Sequence, residues 1–194
     1  IGVKEWRIIT KIPSLDPNLS KTQIRSWVRD KVAESMNRLR VKKIYGLLLH
    51  HPLDLVHHNG VQIYDELASL KKNGLIQKIG VSVYDPSELD LLIDRFNIDI
   101  VQLPINAFDH RFAISGWLKN LNSREIEIHG RSIFLQGLLL MNKKERPEQF
   151  RKWDSLWIEW DHWLDDVKMT PLQACLSLAF SNKELDKLIF GFDN

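Results

Sequence analysis

The 194-residue chain has a single cysteine, Cys175, so no disulfide can form within it and a scaffold stapled by bridges is excluded. No apolar run approaches the roughly 18 residues that a membrane-spanning helix needs. Charge of one sign is missing too: 27 Lys and Arg against 25 Asp and Glu, interspersed along the chain, leave a formal +2. Such a balance creates no field that would gather nucleic acid or an anionic membrane surface, so neither is expected as a partner. The opening Ile1-Gly2-Val3-Lys4-Glu5-Trp6 has no basic start, apolar core or cleavage pattern of a signal peptide, and no initiating Met. A reducing cytoplasm is the expected compartment, and the chain is expected to begin inside a longer protein.

What is present is enough apolar material, 44% of residues, for the core of one domain. Short β-branched runs alternate with longer helical ones. Strands are predicted at Arg7 to Thr10, Ile44 to Leu49, Ile79 to Val83, Ile98 to Leu103, Ile126 to Ile133 and Leu188 to Gly191, mostly apolar at consecutive positions, as strands covered on both faces are. The first helix opens on the capping-box spacing of Ser20 and Gln23 and lines up Ile24, Trp27, Val28 and Val32. Tyr64, Leu67 and Ala68 mark the next, which Gly74 can end through a left-handed cap. Asp85-Pro86-Ser87-Glu88 starts a third before Leu89, Leu92, Ile93 and Phe96. Thr170-Pro171 starts another, with Leu172, Cys175, Leu176 and Ala179 facing inward.

Strand, helix, strand in this order demands right-handed crossovers and a parallel sheet, either doubly wound or closed into a barrel. No glycine-rich fingerprint follows any strand, whereas a polar residue lies at or near the exit of five consecutive strands: Lys11, His50, Ser82, Gln102 and Ser132. Those residues converge only if the sheet curls round to one mouth. The fold class read from the sequence is therefore α/β, a parallel (β/α)8 TIM barrel that is incomplete in this chain, with residues 1–194 as one partial domain.

Five segments occur in order: Ile9-Thr10-Lys11, Leu48-Leu49-His50-His51-Pro52, Ile79-Gly80-Val81-Ser82, Val101-Gln102-Leu103-Pro104-Ile105-Asn106, and Arg131-Ser132-Ile133-Phe134-Leu135-Gln136-Gly137-Leu138-Leu139. Together they resemble the aldo-keto reductases over essentially the whole chain. The resemblance implies NADPH-dependent reduction of an aldehyde or ketone, with NADH not excluded, in which C4 of the nicotinamide gives hydride to the carbonyl carbon and an acid protonates the alkoxide. In that family the acid is a Tyr, a neighbouring Lys favours its phenolate, and a His orients the carbonyl. Lys11 and His50 match the Lys and the His; His50 rather than His51 is chosen because it is the second residue before Pro52.

By the same resemblance Ser82 and Gln102 hold the nicotinamide carboxamide, and Ser132, Phe134, Gln136 and Gly137 form the loop along the cofactor pyrophosphate. Two departures stand out. Val83 follows Ser82 where the family often has Asn. Arg131 occupies the place of an aromatic that stacks on the nicotinamide; its planar guanidinium either takes over as platform or faces an acidic group. Gly191-Phe192-Asp193 lies where the family begins its adenosine-phosphate clamp.

Other clusters have simpler readings. A metal site from His50, His51, His57 and His58 has no standard zinc spacing, and no metal is expected. Phe150, Trp153, Trp157, Trp160 and Leu164 follow steps of three and four and are predicted to form one packed stripe on an inserted helix, a lid over the mouth. Its neighbours Asp154, Glu159, Asp161, Asp165 and Asp166 argue against base stacking. Cys175 is expected to be buried and inert.

The motif order makes the strand of Lys11 the third of eight. The two before it would carry the family's catalytic Asp and Tyr, and none of Tyr45, Tyr64 or Tyr84 matches that Tyr. The 194 residues alone are therefore expected to be a poor reductase. Competing expectations are a non-catalytic nicotinamide-binding or regulatory subunit, and an unrelated barrel that takes a phosphate-bearing substrate. The sequence sets neither the carbonyl substrate nor the oligomeric state.

Overall fold

The computed structural model describes residues 6–191. Six parallel strands form one sheet in sequence order: β1 (Ile9–Ile12), β2 (Ile44–Leu49), β3 (Ile76–Ser82), β4 (Ile100–Pro104), β5 (Glu127–Arg131) and β6 (Lys187–Leu188). Crossovers run through α1 (Lys21–Leu39), α2 (Gly60–Lys72), α3 (Pro86–Leu92), the short α4 (Arg111–Ile114) with α5 (Trp117–Ser123), and α6 (Asp154–Val167) with α7 (Pro171–Ser181). Among the described residues β1 and β6 are the two edges, so the barrel is not closed.

The helices begin where their caps place them. Gln23 reaches back to the Ser20 amide (3.0 Å), Glu88 to the Asp85 amide (3.0 Å) and Gln173 to the Thr170 amide (2.9 Å), each satisfying a donor that the helix itself leaves free. Ile24, Val28 and Val32 of α1 and Ile63, Leu67 and Leu70 of α2 pack on the outer face of the sheet in one continuous apolar cluster. Glu66, the charged member of that buried face, is clamped by the Arg29 guanidinium at 2.6 and 3.0 Å, which ties α2 to α1.

Strand limits differ from the sequence reading by a few residues, for physical reasons. β1 is displaced toward the C-terminus because its partners run from Gly46 to Leu49, which buries Ile12. β3 starts earlier because Ile76 pairs with Ile44. β5 stops at Arg131 because Ser132 takes a left-handed backbone, φ 60°, that no strand tolerates.

The sheet is strongly curved. In a flat sheet β2 and β5 would lie about 14 Å apart, yet the Tyr45 hydroxyl on β2 donates to Glu127 on β5 at 2.7 Å. A bulge turns Tyr45 inward: its amide and that of Gly46 both donate to the Ile8 carbonyl. Two glycines make the inner face narrow enough. A Cβ on Gly80 would lie 2.8 Å from the Ile100 carbonyl oxygen, and one on Gly46 would lie 2.7 Å from Ile100 Cδ1.

The tryptophan stripe is not one helix. Glu148–Trp153 form a 3-10 turn and α6 starts at Asp154, so Trp157, Trp160 and Leu164 are buried while Trp153 stays 44% exposed. Trp157 and Trp160 pack on Phe108, in the loop leaving β4, at centroid distances of 4.9 and 5.8 Å.

Candidate functional site at the strand exits

Alternation along the strands puts Lys11, Ser82, Gln102 and Arg131 on the inner face, at the ends from which the chain leaves β1, β3, β4 and β5, with His50 following β2. The geometry brings them together. Lys11 Nζ donates to Ser82 Oγ at 3.3 Å, and Ser82 is the register partner of Gln102. Arg131 reaches from β5 to the exit of β3, where Nη2 donates to the Val83 carbonyl at 2.9 Å and Nη1 to Ser132 Oγ at 3.2 Å. Its guanidinium lies over the Tyr84 ring, 4.3 Å from the centroid.

Tyr84 is a firm base for that stack. Its amide donates to Glu88 Oε2, and its carbonyl accepts from Arg111 Nη2 at 3.1 Å. Arg111 is itself held by Asp85 and Asp109.

The charges at this mouth have no counter-ion among the described residues. Burial and the Arg131 charge hold Lys11 below the ordinary lysine pKa. Burial, then Lys11, His51 and Arg131, lowers His50 below the ordinary histidine pKa, which favours its neutral ring. Burial likewise pulls Arg131 down, against weaker pulls upward from Tyr84, Glu88 and Asp109. A cleft of about 360 Å³ opens beside Lys11 and His50 toward α1, and the carboxylate lining it, Glu34, is engaged by Lys31 at 3.1 Å.

Ser82 is fully buried and Gln102 is 4% exposed, and the Gln102 amide makes no hydrogen bond among the described residues. A hydroxyl donor beside an amide that can both give and accept is the donor set a primary carboxamide requires. The loop after β5 is equally unusual. Ser132, Leu135 and Gln136 hold left-handed φ values of 60°, 47° and 54°, and Gly137 follows at 87°. Each non-glycine there costs about 1 kcal/mol. The amides of Ile133, Phe134 and Gln136 donate to nothing among the described residues. Phe134 is half-buried against Phe190 (5.6 Å) and Gln136 is exposed. On the far side of this loop lies an apolar cleft of about 620 Å³, lined by Phe108, Leu135, Gln136, Phe150, Trp153 and Trp157 among others.

A family profile described as the aldo/keto reductase family matches residues 3–194. The chain belongs to the aldo/keto reductase family. An apo aldo-keto reductase from Bacillus halodurans superposes with a TM-score of 0.70 at 15% identity, covering 99% of this chain and 64% of that one. A glycerol dehydrogenase from Gluconobacter oxydans gives 0.63 at 20% identity, covering 84% and 54%. In sequence the chain is 23% identical over 128 residues to an uncharacterized oxidoreductase of Bacillus subtilis, covering 66% of this chain and 40% of the relative. This aldo/keto reductase chain thus spans under two thirds of the length of these relatives.

None of the three tyrosines stands beside Lys11. The Tyr45 hydroxyl is bound to Glu127, that of Tyr64 donates to the Asn97 carbonyl at 3.0 Å, and Tyr84 lies under Arg131. Phe192 and Asp193, read as the start of an adenosine-phosphate clamp, lie outside the described residues. His57 and His58 are exposed, and no three metal-ligating side chains converge among the described residues. No helix there is long and apolar enough to cross a membrane. Cys175 is buried, and burial raises its thiol to about 11.

Sequence reasoning missed two contributors. Tyr84 carries no motif and is placed only by the reach of Arg131. Buried Asn106 accepts from the Phe108 and Asp109 amides and donates to the Ser132 carbonyl at 3.3 Å, which fixes the start of the left-handed loop. Its position in the Pro104-Ile105-Asn106 segment was the available signal.

Proposed function

We propose that this chain forms the cofactor bed and part of the catalytic centre of a nicotinamide-dependent oxidoreductase that reduces a small aldehyde or ketone, with NADPH as cofactor and NADH read by the same test. The observation that carries this reading is the convergence of Lys11, Ser82, Gln102 and Arg131 at one mouth, tied by the Lys11–Ser82 and Arg131–Val83 hydrogen bonds.

Bound there, the dihydronicotinamide supplies a hydride. Ser82 and Gln102 meet the carboxamide and set which ring face is presented to the carbonyl. Neutral His50 offers a ring N–H to the carbonyl oxygen. Lys11 lowers the pKa of an adjoining acid by favouring its anion. The amides of Ile133, Phe134 and Gln136, with Gly137 allowing close approach, take the pyrophosphate. The lone buried thiol suits a cytoplasmic setting.

The second reading is a nicotinamide-binding module without turnover. Titration with NADPH, followed by tryptophan fluorescence, tests what the two readings share. Saturable binding that weakens about tenfold in Gln102→Ala is expected. Absence of binding would remove both. Carbonyl reduction by the 194-residue chain is expected to be nil under either reading; measurable turnover would exclude the module.

A further inference from the structure

We infer that Tyr84 and Arg131 form a two-layer platform for the nicotinamide ring: Tyr84 is a positioning residue whose ring backs the Arg131 guanidinium, and the other side of the guanidinium carries the nicotinamide. The inference rests on the cofactor reading above and adds to it a residue, Tyr84, that the reading does not use.

A guanidinium is flat, its N–H donors lie in its plane, and its faces stay free for stacking. At Arg131 both Nη groups are spent on the protein, Nη2 on the Val83 carbonyl at 2.9 Å and Nη1 on Ser132 Oγ at 3.2 Å. Turning the group would break both bonds, so its plane is fixed. Tyr84 covers one side, with Arg131 Cζ 4.3 Å from the ring centre, and among the described residues no second ring is stacked on this guanidinium. The place suits a nicotinamide. Val83 follows Ser82 directly, and its amide donates to the Gln102 carbonyl at 2.9 Å. Arg131 is the register partner of Pro104, two residues beyond Gln102. A ring whose carboxamide meets Ser82 and Gln102 therefore lies beside a guanidinium pinned one residue further on.

Arg131 stands where the resemblance puts an aromatic side chain, and by itself it is the poorer platform. A long, many-rotamer side chain loses more freedom on being held flat than an aromatic does, and that loss would be charged to binding. Two hydrogen bonds and a backing ring remove the freedom before any cofactor arrives. The backing is itself built. Tyr84 is exposed, yet its amide donates to Glu88 Oε2 and its carbonyl accepts from Arg111 Nη2 at 3.1 Å, with Arg111 held by Asp85 and Asp109. Four charged side chains thus fix the backbone of one exposed tyrosine, and what they keep in place is the ring under Arg131. All of these residues sit at or just past the exits of β3, β4 and β5, none of which is an edge strand among the described residues.

The test is calorimetric binding of two ligands to the 194-residue chain: NADPH, and 2′-phospho-ADP-ribose, which is NADPH without its nicotinamide. Arg131→Ala is expected to weaken NADPH about tenfold and Tyr84→Ala about fivefold, while neither moves 2′-phospho-ADP-ribose by more than about twofold. Adding Tyr84→Ala to Arg131→Ala should cost less than about twofold more, because the backing ring has lost what it backs. Tyr84→Phe keeps the ring and should bind NADPH as the parent does. If circular dichroism shows Arg131→Ala to be unfolded, Arg131→Lys, which keeps the charge and loses the flat face, takes its place in the cycle. Parent-like NADPH binding by Tyr84→Ala, equal losses for the two ligands, or a Tyr84→Ala loss as large without Arg131 as with it would overturn the inference and leave the cofactor reading intact. A parent chain that does not bind NADPH would sink the two together.

Discussion

Four residues along the same strands separate two clusters on the inner face of the sheet. At the N-terminal end, Glu127 accepts from Lys78, from the Tyr45 hydroxyl at 2.7 Å and from His129 Nε2 at 2.9 Å. At the C-terminal end, about 13 Å away at 3.3 Å per residue, Lys11 and Arg131 bond only neutral groups among the described residues. The first cluster is compensated. The second has no carboxylate within ion-pair distance of Lys11 or Arg131 among the described residues.

Replacing Glu127 with Gln attacks the compensated end and should have the largest effect. Lys78 would be left without its counter-ion, and His129 and Tyr45 would lose a charged acceptor, for a loss of about 2–3 kcal/mol by urea unfolding.

Acid reaches the same cluster without mutation. Burial alone would raise the Glu127 pKa, but hydrogen bonds from Lys78, His129 and Tyr45, with the Lys78 charge, bring it from 4.5 down to about 2. Its contribution is therefore complete above pH 4.5 and is lost progressively as pH falls toward 2, on the order of 3 kcal/mol at roughly 1.4 kcal/mol per pH unit. Denaturation midpoints measured across that window should show the step in the parent chain and not in Glu127→Gln.

Gly80 lies between the two ends, and Gly80→Ala should cost about 2 kcal/mol, because the new methyl would meet the Ile100 backbone rather than a movable side chain. Tyr84→Ala removes the surface under Arg131 and should lower thermal stability by about 0.5–1 kcal/mol. The smallest effect is expected from Lys11→Met, within about 0.5 kcal/mol of the parent or slightly stabilising, since no ion pair is broken. A loss for Lys11→Met as large as that for Glu127→Gln would erase the distinction between the two ends.

Much of this arrangement was legible in the amino acids. The exits at Lys11, Ser82 and Gln102 follow from apolar runs that end on a polar residue, and the caps at Ser20, Asp85 and Thr170 are local chemistry that survives any tertiary context. Other features were not legible. The stripe from Phe150 to Leu164 keeps helical spacing, but its first turns wind as a 3-10 segment, a distinction that periodicity does not make. Glu127 reads as one more alternating strand residue, because its three partners come from β2, β3 and its own strand.

By itself the sequence determined the order of the strands, the helix starts at Ser20, Asp85 and Thr170, and which residues leave the strands at the C-terminal end, while α4 and α5 carried no signal that it read. These depend on side-chain period and capping, which act over a few residues. Only the tertiary structure decided that Tyr45 meets Glu127, and that Arg131 crosses from β5 to Val83 and rests on Tyr84. Those contacts depend on how sharply the sheet bends, and the bend comes from packing Ile100 against Gly46 and Gly80, three strands acting together.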